Sequence, residues 1–265
     1  MAEPKVCVSL EGITVDEMID EANRANIAGA DYVEVRFDKL YLIKPEPKVT
    51  ENEDGEKISK MPPESEWGVK DFNEVDIEQS ISALKEAIPV PVIFTARPVR
   101  EGGFFAGNEE QRLEVLDKAI QSEVSFVDLE LSIEEKERKK LHSSASDSGC
   151  KVIASYHDSS STPSADEIVE LVRSNYDKGD IMKFCSSISN HQDSLQILEA
   201  AHTLSKDEDP HSLMGLGNGG DWVRIHAPIL GQSLVYATML NHFRLSDRGL
   251  INVRDLKDAW ALLEY

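Results

Sequence analysis

Lys183 lies in the middle of a short apolar run, Asp180 to Cys185, whose composition is typical of a β-strand. Burying an ammonium ion is unfavourable unless the ion is paired or gives up its proton, so a lysine in a buried strand indicates a use for its amine. A neutral lysine amine is suited to forming a Schiff base with a ketone. The alternative is a lysine at a strand end with its ammonium group in solvent, which is a common position for this residue type.

Ionisable and polar side chains recur on one face of the neighbouring predicted strands. Residues two apart on a strand share a face, and five consecutive strands repeat the pattern. The sets are Glu34 with Arg36, Thr95 with Arg97, Asp128 with Glu130, Ser155 with His157, and Lys183 with Ile181 and Cys185. Each charged residue alone fits a strand end or the surface, and an isolated histidine is more often structural than catalytic. Together they indicate a functional interior, because a barrel would otherwise fill this face with valine and leucine.

These residue types are the components of imine catalysis on an anionic substrate. An amine forms the iminium, an imidazole beside a carboxylate removes the adjacent proton, and arginines bind a polar anion. Glu101 lies in the loop after the third predicted strand. The histidines lack HxH and HExxH spacing and the three cysteines lack a CxxC pair, so the sequence predicts neither a metal site nor a disulfide framework.

The elements that must position these residues alternate along the chain. Strands are predicted at 5–10, 32–38, 90–97, 126–131, 151–158, 180–185, 212–216 and 234–238. Helices are predicted at 15–22, 77–87, 109–122, 133–146, 164–176, 191–204 and 253–263. This alternation predicts an α/β fold with a parallel sheet, and its length predicts a single (β/α)8 TIM barrel over residues 1–265. A polar, proline-rich segment at about 45–67 is predicted to be an insertion loop after the second strand, either a lid or mobile surface.

Bulk properties exclude several classes of protein. The 265 residues carry a net charge of −21. This charge argues against binding to nucleic acid or to an anionic membrane by long-range electrostatic attraction. No apolar run approaches the roughly 18 residues of a membrane span, and the first residues lack a signal-peptide core. We therefore expect a cytoplasmic protein with reduced thiols.

The strand motifs resemble those of the type I 3-dehydroquinate dehydratases, the Schiff-base enzymes of the shikimate pathway. The matching stretches follow the family's order and are 8–10, 34–38, 94–97 with 101–103, 127–131, 155–158 and 180–183. The resemblance implies conversion of 3-dehydroquinate to 3-dehydroshikimate and water. It implies no metal or organic cofactor. It also implies a homodimer. The last helix carries apolar residues that either form the dimer surface or pack on their own barrel, namely Trp260, Leu262, Leu263 and Tyr265.

The resemblance also implies a role for each matched residue. Lys183 would form the iminium, His157 would transfer the proton, and Glu101 would orient His157. The implied substrate-binding residues are Ser9, Glu34, Arg36, Arg97, Arg224 for the carboxylate, and Ser246. In the family a serine and a glutamine close over the substrate, whereas the corresponding stretch here ends in Leu250, whose side chain offers no hydrogen bond.

Two other functions fit parts of the pattern. A lysine Schiff-base aldolase acting on a phosphorylated sugar would bind phosphate through the glycines at 215–220, which also fit a flexible turn. A non-catalytic ligand-binding relative would account for Leu250. Retention of both Lys183 and His157 favours an enzyme over such a relative.

Overall fold

Hydrogen bonds join eight parallel strands into one sheet that curves into a nearly closed barrel. The structure, a computed structural model, describes residues 3–51, 57–240 and 249–265. The barrel strands are Lys5–Ser9, Tyr32–Arg36, Val92–Thr95, Phe126–Glu130, Lys151–Asp158, Ile181–Ser187, His211–Leu216 and Leu234–Ala237. The α-helices are Val15–Ile27, Ile77–Ala87, Glu109–Gln121, Glu135–Ser148, Ala165–Arg173, His191–Leu204, Asp221–Ile225 and Val253–Leu262. This arrangement confirms the predicted (β/α)8 TIM barrel, although the third strand is shorter than predicted.

Several helices begin where a polar side chain caps free backbone amides. Asp76 accepts a hydrogen bond from the N–H of Gln79 at 3.0 Å, and Asn190 accepts one from the N–H of Gln192 at 2.8 Å. A cap of this kind stabilises a helix by about 1 kcal/mol. Because local sequence sets these starts, the predicted limits of both helices match the structure.

The second strand shows how the two faces of the sheet are used. Val33 and Val35 are fully buried in the apolar cluster that includes Ile81 and Leu84 of the following helix. Glu34, between them, is 4% exposed and lies on the opposite face, towards the barrel interior. Period-two alternation therefore places the carboxylate inside the barrel and the valines under the helices.

Side chains complete the barrel between the seventh and eighth strands. The hydroxyl of Ser212 donates to the carbonyl oxygen of Leu234 at 2.6 Å, and the N–H of Leu213 donates to Oε1 of Gln232 at 2.6 Å. These bonds satisfy backbone groups where the described strands form no regular ladder, and they hold the last strand against the seventh.

The polar insertion predicted at about 45–67 contains two short strands. Lys48–Glu51 and Lys57–Lys60 pair as antiparallel strands, and Leu42–Ile43 pairs with Gly68–Val69 at the base of the insertion.

Every helix among the described residues is too short or too polar to span a lipid bilayer.

Candidate active site

The predicted site residues that the structure describes line one cavity of about 230 Å³. They are Ser9, Glu34, Arg36, Arg97, Glu101, His157, Lys183 and Arg224. Ser246 lies outside the described residues. Leu250 also lines the cavity and is 7% exposed, so an apolar side chain occupies part of the wall.

Lys183 is buried among two carboxylates and an aromatic ring. Its Nζ lies 3.0 Å from Oδ2 of Asp128 and 3.7 Å from Oε1 of Glu34. The same atom lies 4.2 Å from the ring centroid of Tyr236. Although burial raises it, the pKa of Asp128 is held well below its ordinary value by the cations of Arg97 and Lys183. These groups stabilise a positive charge at Nζ, whether it belongs to an ammonium or to an iminium.

His157 and Glu101 form a hydrogen-bonded pair facing the same cavity. Nδ1 of His157 lies 3.0 Å from Oε2 of Glu101, and the other oxygen of Glu101 accepts a hydrogen bond from Ser132. Burial, followed by the charges of Arg97 and Lys183, lowers the pKa of His157 well below its ordinary value of 6.5. The imidazole is therefore neutral at neutral pH, and its Nε2 is free to accept a proton.

Glycines set the position of Glu101. A Cβ atom at Gly103 would lie 2.0 Å from the carbonyl oxygen of Arg97, so no other residue fits there without moving the backbone. Gly102 has φ of +77°, in the left-handed region that favours glycine. The Glu-Gly-Gly sequence thus turns the loop back over the third strand and directs Glu101 towards His157.

Arg97 is held within the wall of the cavity. It donates from NH2 to Asp128 at 2.9 Å, and from NH1 to Glu130 at 2.7 Å and to the hydroxyl of Ser155 at 3.1 Å. It is 3% exposed. Arg97 is therefore held by hydrogen bonds within the protein. It also fixes the position of Asp128, the carboxylate that pairs with Lys183.

The second strand supplies a carboxylate and an arginine. Ser9 donates to Glu34 at 2.6 Å, and Thr95 donates to its other oxygen at 2.9 Å. Arg36 forms two parallel hydrogen bonds with Asp38, at 2.9 and 2.7 Å. Burial opposes the ionisation of Asp38, but the charge of Arg36 lowers its pKa overall. Both side chains are thereby oriented before any ligand binds.

Arg224 is a buried cation bound to backbone oxygens. From the helix Asp221–Ile225 it donates to the carbonyl oxygens of Tyr236 at 3.1 Å and Gly215 at 2.8 Å, and it also contacts that of Gly220. It is 1% exposed, and its NH2 has no hydrogen-bond partner among the described residues. Burial lowers its pKa to about 10. A guanidinium in this state fits an anionic group of a ligand.

A larger cavity of about 890 Å³ adjoins the first and shares Glu11, Gly102 and Leu250 with it. Residues 63–65 of the insertion contribute to its wall. Lys39, which is 1% exposed, donates to Glu64 at 2.8 Å and also contacts Glu11. This buried ion pair attaches one arm of the insertion to the rim of the barrel.

Sequence reasoning missed several residues of the site. Tyr236 shares a strand face with Leu234, so alternation in the eighth strand could have placed its ring inside the barrel. Asp38 follows Arg36 by two positions, which was a local signal for their pairing.

The described residues hold no cluster of His, Cys, Asp and Glu arranged to bind a metal ion.

Comparison with known proteins gives consistent matches along the chain. A family model described as Type I 3-dehydroquinase matches residues 6–265. A 3-dehydroquinate dehydratase of Methanocaldococcus jannaschii is 33% identical over 198 residues, covering 74% of this chain and 84% of that protein. One of Methanothermobacter thermautotrophicus is 31% identical, covering 89% of this chain and 87% of that protein. The crystal structure of the Clostridium difficile type I 3-dehydroquinate dehydratase has a TM-score of 0.79 at 23% identity, covering 99% of this chain and 93% of that chain, which shows a shared fold.

Proposed function

Because this chain belongs to the type I 3-dehydroquinase family, we propose a role in the reaction for each residue of its buried cavity. The activity is that of a 3-dehydroquinate dehydratase, a hydro-lyase of the shikimate pathway, and a lysine Schiff base is characteristic of the family. The observation that best supports the assignment of roles is the position of Lys183, a buried amine in the same cavity as His157. The direct test is turnover: incubation with 3-dehydroquinate is expected to yield a product lighter by one water, and binding without turnover would contradict it.

Lys183 is the nucleophile. Its neutral amine adds to the ketone carbon, and loss of water from the resulting carbinolamine gives an iminium. The positive nitrogen attracts electrons from the neighbouring carbon and so acidifies its C–H bond. Asp128, Glu34 and the face of Tyr236 lie where this charge develops, at 3.0, 3.7 and 4.2 Å from Nζ.

His157 moves the proton. Its Nε2 takes the proton from the acidified carbon, and the electron pair of that C–H bond forms an enamine. The enamine then expels the hydroxyl from the next carbon while His157 returns the proton to it, so that one water leaves. Glu101 holds Nδ1 at 3.0 Å and thus keeps Nε2 directed at the substrate. Addition of water to the product iminium finally frees the amine of Lys183.

The remaining residues position the ring. Glu34, Ser9 and Arg36 bind its hydroxyl groups, since their side chains line the cavity and are already oriented by short hydrogen bonds. Arg97 acts through Asp128, because its guanidinium is occupied by carboxylates of the barrel wall. Ser246 remains a proposed substrate contact from the family resemblance.

Arg224 binds the substrate carboxylate, and replacing it with methionine is expected to raise KM by about a hundredfold while changing kcat less. The physical reason is its unpartnered NH2, which a carboxylate would satisfy within the cavity. The measurement is steady-state kinetics with 3-dehydroquinate and with its carboxamide analogue, supported by a melting curve. Wild-type discrimination between the two substrates in the Arg224→Met variant would contradict this role.

The glycine-rich loop orients Arg224 through two of its backbone carbonyl oxygens. The carbonyl oxygens of Gly215 and Gly220 are directed at the guanidinium of Arg224. Backbone oxygens cannot bind a phosphate, which needs N–H donors. These two carbonyl oxygens therefore give no specific support to the aldolase alternative.

The enzyme assembles as a homodimer through an apolar depression on its surface. A shallow depression beside the helix His191–Leu204 is lined by Leu195, Leu198, Ile229 and Tyr265, among others. Leu195 is 47% exposed and Ile229 is 49% exposed. Trp260 does not contribute, because it is buried and donates to the carbonyl oxygen of Arg224 at 3.1 Å.

Replacing Ile229 with glutamate is expected to convert the dimer to monomers, since a second copy would bury the introduced charge. Sedimentation velocity measures the change. Ile27→Glu is the matched control, because Ile27 is 78% exposed and lies outside the depression. A wild-type monomer, or a dimer that survives Ile229→Glu, would contradict the assignment.

The barrel forms a single catalytic domain that works in the cytoplasm. Support for this location comes from Cys7, Cys150 and Cys185, which are buried free thiols, as is common in a reducing compartment. Detection of the native protein in the cytoplasmic fraction of its cells would test the location.

A further inference from the structure

Ser132 connects the carboxylate of Glu101 to the surface of the barrel. It lies just beyond the fourth strand, Phe126–Glu130, is exposed to solvent, and does not belong to the lining of the catalytic cavity. Its hydroxyl donates a hydrogen bond to Oε1 of Glu101. An ionised carboxylate only accepts hydrogen bonds, so the hydroxyl is the donor of this pair. Ser132 therefore acts on Glu101 from outside the substrate cavity.

The carboxylate of Glu101 is held at both of its oxygens. Oε1 accepts from Ser132, and Oε2 lies 3.0 Å from Nδ1 of His157. The last side-chain torsion of a glutamate is broad, so a single hydrogen bond leaves the carboxylate free to rotate. NH1 of Arg97 lies 4.0 Å from Oε2, which is too far for a hydrogen bond. The bond from Ser132 thus fixes the plane of the carboxylate that holds His157.

The same hydrogen bond favours the ionised form of Glu101. Burial raises the pKa of Glu101 above its ordinary value of 4.5, and the hydrogen bond from Ser132 is the strongest influence that lowers it, ahead of the charge of Arg97. An ionised Glu101 accepts the proton on Nδ1 of His157, and the lone pair of the imidazole is then on Nε2.

Arg100 sets the direction in which Ser132 donates. Nε and NH2 of Arg100 donate to the hydroxyl oxygen of Ser132 at 3.3 and 3.2 Å. A hydroxyl has two lone pairs and one proton, so two incoming N–H groups leave that proton directed at Glu101.

Glu109 anchors the guanidinium of Arg100. It is the first residue of the helix Glu109–Gln121, and it accepts from NH1 and NH2 of Arg100 at 2.9 and 3.2 Å. The same carboxylate accepts from Arg112 at 3.0 and 2.6 Å. Arg112 is 1% exposed and also donates to Glu130 at 2.6 Å. The chain of hydrogen bonds thus begins at a carboxylate that two arginines hold.

We propose that Ser132, oriented by Arg100, is a positioning residue of the reaction, which fixes the carboxylate of Glu101 and thereby keeps Nε2 of His157 directed at the substrate. This inference rests on the proposed roles of His157 and Glu101. Imine formation depends on Lys183, whereas proton transfer depends on His157. Loss of the Ser132 hydroxyl therefore slows the second step and leaves the first unchanged.

The test compares these two steps in Ser132→Ala within a single turnover. Enzyme in excess over 3-dehydroquinate is quenched with borohydride at successive times. Intact mass then separates the adduct that retains the leaving hydroxyl from the dehydrated adduct. We expect dehydration to slow about tenfold, which corresponds to the loss of one hydrogen bond to a charged group. The total adduct is expected to form at the wild-type rate.

Two variants serve as controls. Ser132→Thr keeps a hydroxyl at this exposed position and is expected to restore dehydration to near the wild-type rate. Ser144→Ala also removes a hydrogen bond between a serine and a carboxylate, because Ser144 donates to Asp117 at 2.9 Å. That pair joins two outer helices and lies outside the lining of the catalytic cavity, so Ser144→Ala is expected to behave as the wild type.

A double-mutant cycle tests the part played by Arg100. Arg100→Met alone is expected to slow dehydration less than Ser132→Ala does, because the hydroxyl remains but loses its orientation. In the Ser132→Ala background the same replacement is expected to have no further effect. If the charge of Arg100 acted directly on Glu101, dehydration would slow equally in both backgrounds, and that result would overturn the orienting role of Arg100.

Wild-type dehydration in Ser132→Ala would overturn the inference. Equal slowing of imine formation and dehydration, without recovery in Ser132→Thr, would also overturn it, because that result identifies a purely structural residue. Absence of any adduct on Lys183 in the wild-type enzyme, or normal dehydration in His157→Ala, is a different result and would contradict the proposed function itself.

Discussion

Replacing Lys183 with methionine is expected to abolish the covalent adduct and to lower kcat by at least about four powers of ten. The reason is that no other lysine is found among the described residues that line the catalytic cavity. The fold is expected to survive. Methionine fills a similar volume, and Arg97 and Arg112 remain to balance Asp128 and Glu130. Intact-mass analysis after borohydride reduction and a turnover assay measure the two effects.

Lys39→Met is a useful control for this experiment. Lys39 is also a buried lysine paired with carboxylates, but it lies at the rim and outside the lining of the catalytic cavity. Its replacement is expected to leave adduct formation intact. An adduct that persists in Lys183→Met, or disappears only in Lys39→Met, would show that another amine is the nucleophile.

Replacing His157 with alanine is expected to separate imine formation from proton transfer. Lys183 still forms an iminium with the substrate, but loss of the base slows the following step by about two to four powers of ten. Borohydride should therefore trap an adduct that retains the hydroxyl destined to leave as water. Mass analysis distinguishes it from the dehydrated adduct of the wild-type enzyme.

Glu101→Gln provides a graded comparison with His157→Ala. The glutamine amide replaces the carboxylate that lies 3.0 Å from Nδ1 of His157, so the imidazole keeps a hydrogen-bond partner. We expect kcat to fall less than in His157→Ala. Near-normal turnover in His157→Ala, with the dehydrated adduct accumulating at the usual rate, would exclude His157 as the base.

The interior of the barrel was predictable because strand alternation is a short-range rule. Glu34, His157 and Lys183 each occupy the inward face of a strand whose outward residues are apolar. Once eight strands are placed in a barrel, inward side chains from different strands must meet near their C-terminal ends. The polar cavity follows from these two facts without knowledge of any distance.

Other parts of the site depend on contacts that sequence patterns do not encode. Arg112 reaches Glu130 from a neighbouring helix, and nothing in the helical period indicates that one arginine is buried rather than exposed. Arg224 was identified only through the family resemblance, since the orientation of its short helix depends on the carbonyl oxygens around it. The strands at 48–51 and 57–60 were missed because that segment lacks the apolar alternation on which strand prediction relies.

Leu250 marks the main difference from the family pattern. It lies at the boundary of the two cavities, and the family resemblance pairs its position with a glutamine. An apolar side chain there excludes water but cannot accept or donate a hydrogen bond. The charged groups of the proposed chemistry are oriented by other residues, such as Asp128 at Lys183 and Glu101 at His157.

Borohydride trapping of the wild-type enzyme with 3-dehydroquinate, followed by intact-mass and peptide analysis, tests the central claim most directly. We expect one stable adduct per chain, located on Lys183, with a ligand mass that has lost one water. An adduct on another residue, or no adduct under conditions of full turnover, would contradict a Schiff-base mechanism at Lys183.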